Sequence, residues 1–371
     1  MEENLKYFGS KVDALIKGHD LTRAEAKDLF LEVLLNKQPD LQQGAFLAAM
    51  TAKGATPEEL AGSWEAIYDI DTVKVRPEVS GPLVDNCGTG MDTIKTFNIS
   101  TAASIVAAAD GIFMAKHGAR AITSKCGTVD VVEALGVDVE CDVSVVKRSI
   151  ENAGIGMFNG TSGKVHPQAL GRILSQIRFG TVLNMAGSLA NPALPTYGVR
   201  GVYSLEMLMP VAQTMKEIGY RRAYVVHGMD AQERRGLDEL STLGPTHVAE
   251  LTEDGNIETF AISYEGLGID QADEKVIMCK LNREAEAIEQ VRVLSGEDHG
   301  SRRDIVCFNA APIMYITGHA SSLEEGYHKA CDLIDSGKAL KKLTGWVAQQ
   351  QSGDASEKVE KLERIIGTVS A

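Results

Sequence analysis

The first seventy residues place apolar side chains at helical spacing and show no alternation suited to a strand. In LTRAEAKDLFLEVLL, Phe30, Val33 and Leu34 form one stripe, while Thr22 and Glu25 supply a capping box at its start. A second start is written by Thr56, Pro57 and Glu59, which open the helix TPEELAGSWEAIYDI. Between them LQQGAFLAAM reads as a third helix whose small residues permit close packing. These segments predict a helical domain over residues 1–72, joined by part of 165–190. In DTVKVRPEVSGP the helical period is lost around Pro77, Gly81 and Pro82, which marks the link into a second domain, 73–371. Short apolar runs then alternate with helical stretches: PLVDNC, GIFMAK, GIGMF and RAYVVHG read as strands. That alternation predicts an α/β domain with a mostly parallel central sheet covered by helices. Asp254-Gly255, set between two β-prone runs in VAELTEDGNIETFAI, predicts an added antiparallel hairpin. Helices such as REAEAIEQVRVL and EKVEKLERII close the chain.

Composition narrows the function classes. Acidic residues outnumber basic ones 51 to 37 in the 371 residues, a net charge of −14, so the overall field repels nucleic-acid backbones and anionic lipid. A small phosphorylated ligand remains compatible, because a local basic pocket or a Mg²⁺ ion reverses the field inside a cleft. The six cysteines are scattered without a CxxC pair, which fits free thiols in a reducing cytoplasm. The N-terminus has no apolar signal segment, and the longest apolar stretch is broken by Asp110 and Gly111, so neither export nor a membrane span is expected.

Candidate chemistry concentrates in DNCGTGMDTIKTFNISTAASIVAAA, where a strand ends at Cys87, a Gly-Thr-Gly turn follows, and a helix begins near Ile99. Glycines there let a ligand approach the backbone, and the turn and helix N-terminus direct free N–H groups at an anion. It is neither a dinucleotide fingerprint, since Thr93 stands at the sixth position, nor a P-loop. Asn98, Ser100 and Thr101 add short oxygen donors that suit a phosphate or one Mg²⁺, or else cap the helix. A second strand-to-helix turn offers Lys116, His117 and Arg120, then Ser124, Lys125, Gly127 and Thr128, which together suit a ligand with two anionic parts. Asp238 and Glu239 are adjacent carboxylates in a turn and can both reach one hard cation, or form a solvated acidic pair. Arg172 and Arg178 can grip a carboxylate or simply reach from a helix to solvent.

In order along the chain, CGTGMD, TFNIST, KHGAR, TSKCGTVD, SLANPALP, GVYS, VVHGMD and GLDE resemble the motifs of the anthranilate phosphoribosyltransferase family. The resemblance implies a small helical domain hinged to a larger α/β domain, and a homodimer formed through the helical domain. It also implies transfer of the ribosyl group of 5-phosphoribosyl 1-diphosphate (PRPP) to the amine of anthranilate in tryptophan biosynthesis, assisted by Mg²⁺. Carried over by position, Gly88, Thr89, Gly90, Asp92, Asn98, Ser100, Thr101, Lys116, Ser124 and Gly127 would face the donor. Ser100, Asp238 and Glu239 would ligate metal. Met91, His117, Gly118, Ala119, Arg172 and Arg178 would border the acceptor.

The departures gather on the acceptor side. The family's GTGGD is GTGMD here, KHGNR is KHGAR, and SSKSGS is TSKCGT, with Cys126 in place of a hydroxyl. The arginine-bearing segment is about two residues shorter, and Gly180 stands where an arginine is usual. A divergent relative using another aromatic or amine acceptor is therefore a competing reading. A pyrimidine nucleoside phosphorylase and a nucleic-acid-binding relative are the others; the GTG and GLDE elements together oppose the first, and the net charge of −14 opposes the second.

Overall fold

The structure, a computed structural model, describes residues 2–120, 126–280 and 282–370. Four helices lead the chain: α1 (Glu2–Ile16), α2 (Arg23–Leu34), α3 (Asp40–Lys53) and α4 (Pro57–Ile70). Both capping boxes form, Thr22 with Glu25 and Thr56 with Glu59, which fixes where α2 and α4 begin. Phe30, Val33 and Leu34 are buried, and Phe46 sits between Phe8 and Phe30 with ring centroids 5.4 Å from each.

Among the described residues an eight-stranded sheet runs in the order β3-β2-β1-β4-β5-β7-β8, with β6 paired to β5. Its strands are β1 (Leu83–Cys87), β2 (Phe113–Gly118), β3 (Ile155–Asn159), β4 (Tyr197–Gly201), β5 (Arg222–Met229), β6 (Gly236–Leu237), β7 (Thr246–Leu251) and β8 (Ile257–Ile262). Pairings from β3 through β5 are parallel; β7 pairs antiparallel with β5 and β8. The hairpin expected at Asp254-Gly255 is β7–β8, and Gly255 takes a φ of 82° in its turn. Sequence pattern missed β4 and β6: YGVRG, with two glycines and an arginine, lacks an apolar run, and two residues make too short a run to signal a strand.

Helices cover both faces. On one side, α5 (Ile99–Ala109), α6 (Thr128–Ala134) and the C-terminal helices from Arg283 to Val369 share a core with Val84, Met114, Val199 and Val226. On the opposite face Ala223, Val225, Ala249 and Leu251 join a second core with the four leading helices. Between these cores in sequence lie α7 (Val143–Ala153), α8 (Leu170–Ile177), α9 (Val182–Leu189) and α10 (Leu208–Glu217). Leu170, Ile173, Val182 and Leu183 belong to the second core, and Trp64 of α4 donates its indole N–H to the Leu189 carbonyl at 2.9 Å. The helical layer thus combines α1–α4 with α8 and α9, which return to it from the sheet.

Crossing strands of irregular backbone connect the two parts. Val73 N–H donates to the Val165 carbonyl and Val75 N–H to the Pro192 carbonyl, each at 3.0 Å. The fully buried Asp71 closes the joint: its carboxylate accepts the backbone N–H groups of Gln168, Ala169 and Leu170 at 2.6, 3.0 and 2.8 Å. Those are the free donors at the start of α8, where a negative charge is favoured. Asp71→Ala leaves three donors without partners and is expected to cost about 2–4 kcal/mol in denaturant unfolding, with Asp71→Asn costing less.

Candidate active site

Strand order reverses at β1, with β2 on one side and β4 on the other, and ligands collect beyond the carboxyl ends of strands at such a point. A cleft of about 490 Å³ lies there, between the sheet and the returning helices α8 and α9. Its walls include Gly88, Thr89, Gly90 and Asp92 after β1, Ser100 at the start of α5, and Asp238 and Glu239 after β6. Asn98, Lys116, His117, Gly118, Ala119 and Gly127 also line it.

The turn after β1 works as an anion seat. Gly90 has a φ of 68°, a left-handed conformation that glycine adopts without steric cost. Its N–H donates to Asp238 Oδ2 at 2.7 Å, and the Thr89 hydroxyl donates to the same oxygen at 3.2 Å. Gly88 lies flat beneath that carboxylate: a Cβ there would stand 2.4 Å from Oδ2. Glu239 sits on the neighbouring seat, its Oε1 accepting the Ser100 N–H at the N-terminus of α5 at 3.3 Å. Burial and the adjacent Asp238 push the Glu239 carboxyl well above its ordinary range. Asp92 is pushed up to about 7, first by burial and then by Asp238, against the pull of Lys95, whose Nζ is 2.7 Å from Asp92 Oδ1.

Lys116 is fully enclosed beneath this floor. Its Nζ donates to the Asn86 carbonyl at 2.6 Å and to the Ser104 hydroxyl at 3.2 Å, so it ties β1 to α5, and burial lowers its pKa. Asn98 precedes α5 without capping it; its Oδ1 instead accepts the Thr128 hydroxyl at 3.1 Å and joins the two helix starts that face the cleft. Arg120 donates to Asp130, Glu133 and Glu140, at 3.2, 3.0 and 2.8 Å.

At the far end the wall becomes apolar, with Leu170, Leu174 and Leu183, and two imidazoles meet. His117 Nδ1 is 3.2 Å from the Ser188 carbonyl, and His166 Nδ1 is 2.6 Å from the Asp71 carbonyl. Carbonyls only accept, so both Nδ1 atoms carry hydrogens. The two Nε2 atoms, 3.1 Å apart, then face each other as lone pairs, and one further proton would join them. Burial opposes that proton: the His117 pKa falls to about 4 and that of His166 to about 3, and both are neutral at physiological pH. His166 and the hinge residue Asp71 carry no local motif, and so the sequence did not single them out.

Several candidates lie elsewhere. Thr101 is fully buried, with its hydroxyl unpartnered, on the helix interior away from the cleft wall. Arg172 turns toward the leading helices, donating to the Val33 carbonyl at 2.9 Å and to Gln43 at 3.2 Å. Arg178 ends α8 in a left-handed conformation, with Nε on the Ser175 carbonyl at 3.1 Å. Neither arginine is part of the cleft wall. Ser124 lies outside the described residues.

Met91 also stands off the wall, packed on Gly180: a Cβ at 180 would sit 2.5 Å from Met91 Cε and 3.0 Å from Sδ. Two of the acceptor-side departures therefore touch, the side chain at 91 filling the space above the glycine at 180.

Gly180→Val is expected to destabilise the fold by about 1–3 kcal/mol, and Met91→Gly to recover most of that loss, a coupling readable from unfolding of the single and double variants. The histidine pair gives a pH signature. Both rings have an ordinary value of 6.5 in the unfolded chain and a lower one when folded, so below pH 6.5 the unfolded chain binds more protons. Stability is complete above pH 6.5 and is lost as the pH falls toward 4; His117→Asn is expected to flatten that limb of a melting-temperature profile.

Family models agree with this architecture. The glycosyl transferase family a/b domain matches residues 80–340, and the helical bundle domain of the same family matches 12–69. An anthranilate phosphoribosyltransferase from Anaeromyxobacter dehalogenans (strain 2CP-C) is 39% identical over 337 residues, covering 90% of this chain and 96% of the relative. The crystal structure of the Thermus thermophilus enzyme of that name superposes with a TM-score of 0.80 at 31% identity, covering 95% of this chain and 99% of the other. A Saccharomyces cerevisiae structure of anthranilate phosphoribosyltransferase in complex with PRPP and Mg shares the fold, with a TM-score of 0.80, 24% identity, and coverage of 98% and 99%. The chain belongs to the anthranilate phosphoribosyltransferase family.

Proposed function

We propose that this cleft transfers the 5-phosphoribosyl group of PRPP to the amine of anthranilate, releasing diphosphate, in tryptophan biosynthesis. The observation that carries the reading is the Gly88 to Gly90 turn: it already holds an anion, the Asp238 carboxylate, at the carboxyl end of β1. Family membership supplies the donor whose diphosphate would take that seat.

Gly88, Thr89, Gly90, Asp92, Asn98, Ser100 and Gly127 form the donor end, with Lys116 bracing its floor. His117, Gly118 and Ala119 form the acceptor end with the leucine wall, an apolar slot suited to an aromatic ring. Asp238, Glu239 and the Ser100 hydroxyl are hard oxygen donors on one side of the cleft, and they fit Mg²⁺, which needs only one or two carboxylates beside substrate phosphates. When bound, that ion would neutralise charge on the departing diphosphate.

Breaking the anomeric C–O bond builds positive charge on the ribosyl carbon and negative charge on the leaving oxygen. The Gly90 N–H and the α5 N-terminus point where that negative charge grows. Anthranilate's amine is neutral and already nucleophilic, so the walls contribute positioning, worth up to about 7–11 kcal/mol in favourable systems. The neutral imidazoles of His117 and His166 leave the amine unprotonated.

Apolar side chains exposed on α1 and α3, among them Leu5, Tyr7 and Leu41, support a homodimer through the helical layer. The scattered cysteines, without a CxxC pair, suit a reducing setting and so support a cytoplasmic location; among the described residues no helix is long and apolar enough to cross a membrane. The remote Arg172 and Arg178 favour a second reading, a different aromatic amine as acceptor.

Purified protein with Mg²⁺, PRPP and anthranilate is expected to quench anthranilate fluorescence while releasing pyrophosphate. Release only with another aromatic amine establishes the second reading, and release with none overturns both. Gly90→Val, strained at a φ of 68°, is expected to lower donor affinity about 10- to 100-fold by calorimetry.

A further inference from the structure

Both anion seats in the cleft are filled by the chain's own carboxylates. Asp238 takes the Gly90 N–H and the Thr89 hydroxyl, and Glu239 takes the Ser100 N–H. Neither seat can serve a diphosphate while it is so filled. The backbone at 238 is packed against β4. Asp238 rests on β4 so closely that a Cβ at Gly201 would lie 1.6 Å from the Asp238 carbonyl oxygen. Vacating the seat is therefore a rotation of the Asp238 side chain alone.

We infer that Asp238 is an internal plug of the diphosphate seat, released when a divalent cation accepts its carboxylate, so that the cleft admits diphosphate as a metal complex and resists it bare. The inference rests on the proposed donor site. No bond is made or broken; two ionic partnerships are exchanged. The Gly90 and Thr89 donors pass from carboxylate to phosphate oxygen, and the carboxylate passes from those donors to the cation. Without the cation, a bare diphosphate would strand a buried carboxylate beside Glu239 and bring like charges together. With it, each displaced charge gains a partner. This lets a cleft that holds Asp238 and Glu239 side by side admit an anionic substrate, and it makes metal loading precede or accompany donor binding.

A purely structural role predicts the opposite response to mutation. If Asp238 only shapes the turn, its loss disorders the seat and weakens diphosphate binding. If it plugs the seat, its loss opens the seat.

Calorimetric titration of the full chain with inorganic pyrophosphate, in chelator and in magnesium chloride at pH 8, separates these. The wild-type protein is expected to bind pyrophosphate about tenfold more weakly in chelator than in magnesium. Asp238→Ala is expected to gain about tenfold in chelator and to lose most of the magnesium advantage, with Asp238→Asn intermediate. Glu274→Gln removes one negative charge outside the cleft wall without touching the seat, and a shift below about threefold is expected. Equal wild-type affinity in both conditions overturns the plug. So does weaker binding by Asp238→Ala in chelator when Asp238→Asn also fails to gain, or a gain by Glu274→Gln equal to that of Asp238→Ala. Should the wild-type protein and every variant fail to bind pyrophosphate even in magnesium, the donor site itself is refuted, a result distinct from the others.

Discussion

The structure of the cleft depends on one constraint, the placement of two adjacent carboxylates over backbone donors that glycine leaves open. Asp238 and Glu239 leave the chain after β6, on irregular backbone that lets neighbouring side chains point into the same space. Gly88 has no Cβ because the Asp238 carboxylate occupies its place, Gly201 has none because the Asp238 carbonyl does, and Gly90 takes a left-handed turn to aim its N–H upward. Three glycines from β1 and β4 thus answer to one aspartate. Under the proposed function, the same few atoms would serve a cation and an anion together.

This part of the site was legible because its chemistry is local in sequence. CGTGMD, TFNIST and GLDE each carry a turn, a helix start or an adjacent acidic pair, and short-range rules interpret them. The folding units were legible for the same reason: two capping boxes, a linker rich in proline and glycine, and an Asp-Gly hairpin all register within a few residues. Thr101 shows the limit. A hydroxyl one residue past Ser100 faces a direction set by helix rotation, and it ends inside the core.

The acceptor end was less legible because its geometry comes from long-range packing. His166 meets His117 across 49 residues, and Asp71 holds the start of α8 from 97 to 99 residues away. No spacing within either segment announces these contacts. Arg172 and Arg178 carried the right chemistry for a carboxylate, yet packing against the leading helices sets the direction of the first and the end of α8 that of the second, and both aim elsewhere. Met91 and Gly180 read as two separate departures along the chain. In space they are one, since the thioether fills what a side chain at 180 would need.

The histidine pair joins the two halves of this picture. Asp71 uses its carboxylate to hold the N-terminus of α8 and its carbonyl to hold His166, which in turn faces His117 at the end of β2. His117 reaches back to the Ser188 carbonyl in α9, so the crossing between helical layer and sheet and the wall of the acceptor slot are built from the same atoms. The layer-to-sheet contact and the imidazole contact thus share Asp71, His166 and His117. Buried neutral rings hold such a contact by packing and hydrogen bonding rather than by charge. At the other end of the cleft the contacts run between carboxylates and the backbone and hydroxyl donors of the turn and the helix start. The two ends of the cleft are thus held by two kinds of force, one between carboxylates and polar donors and the other in the packing of the helical layer against the sheet.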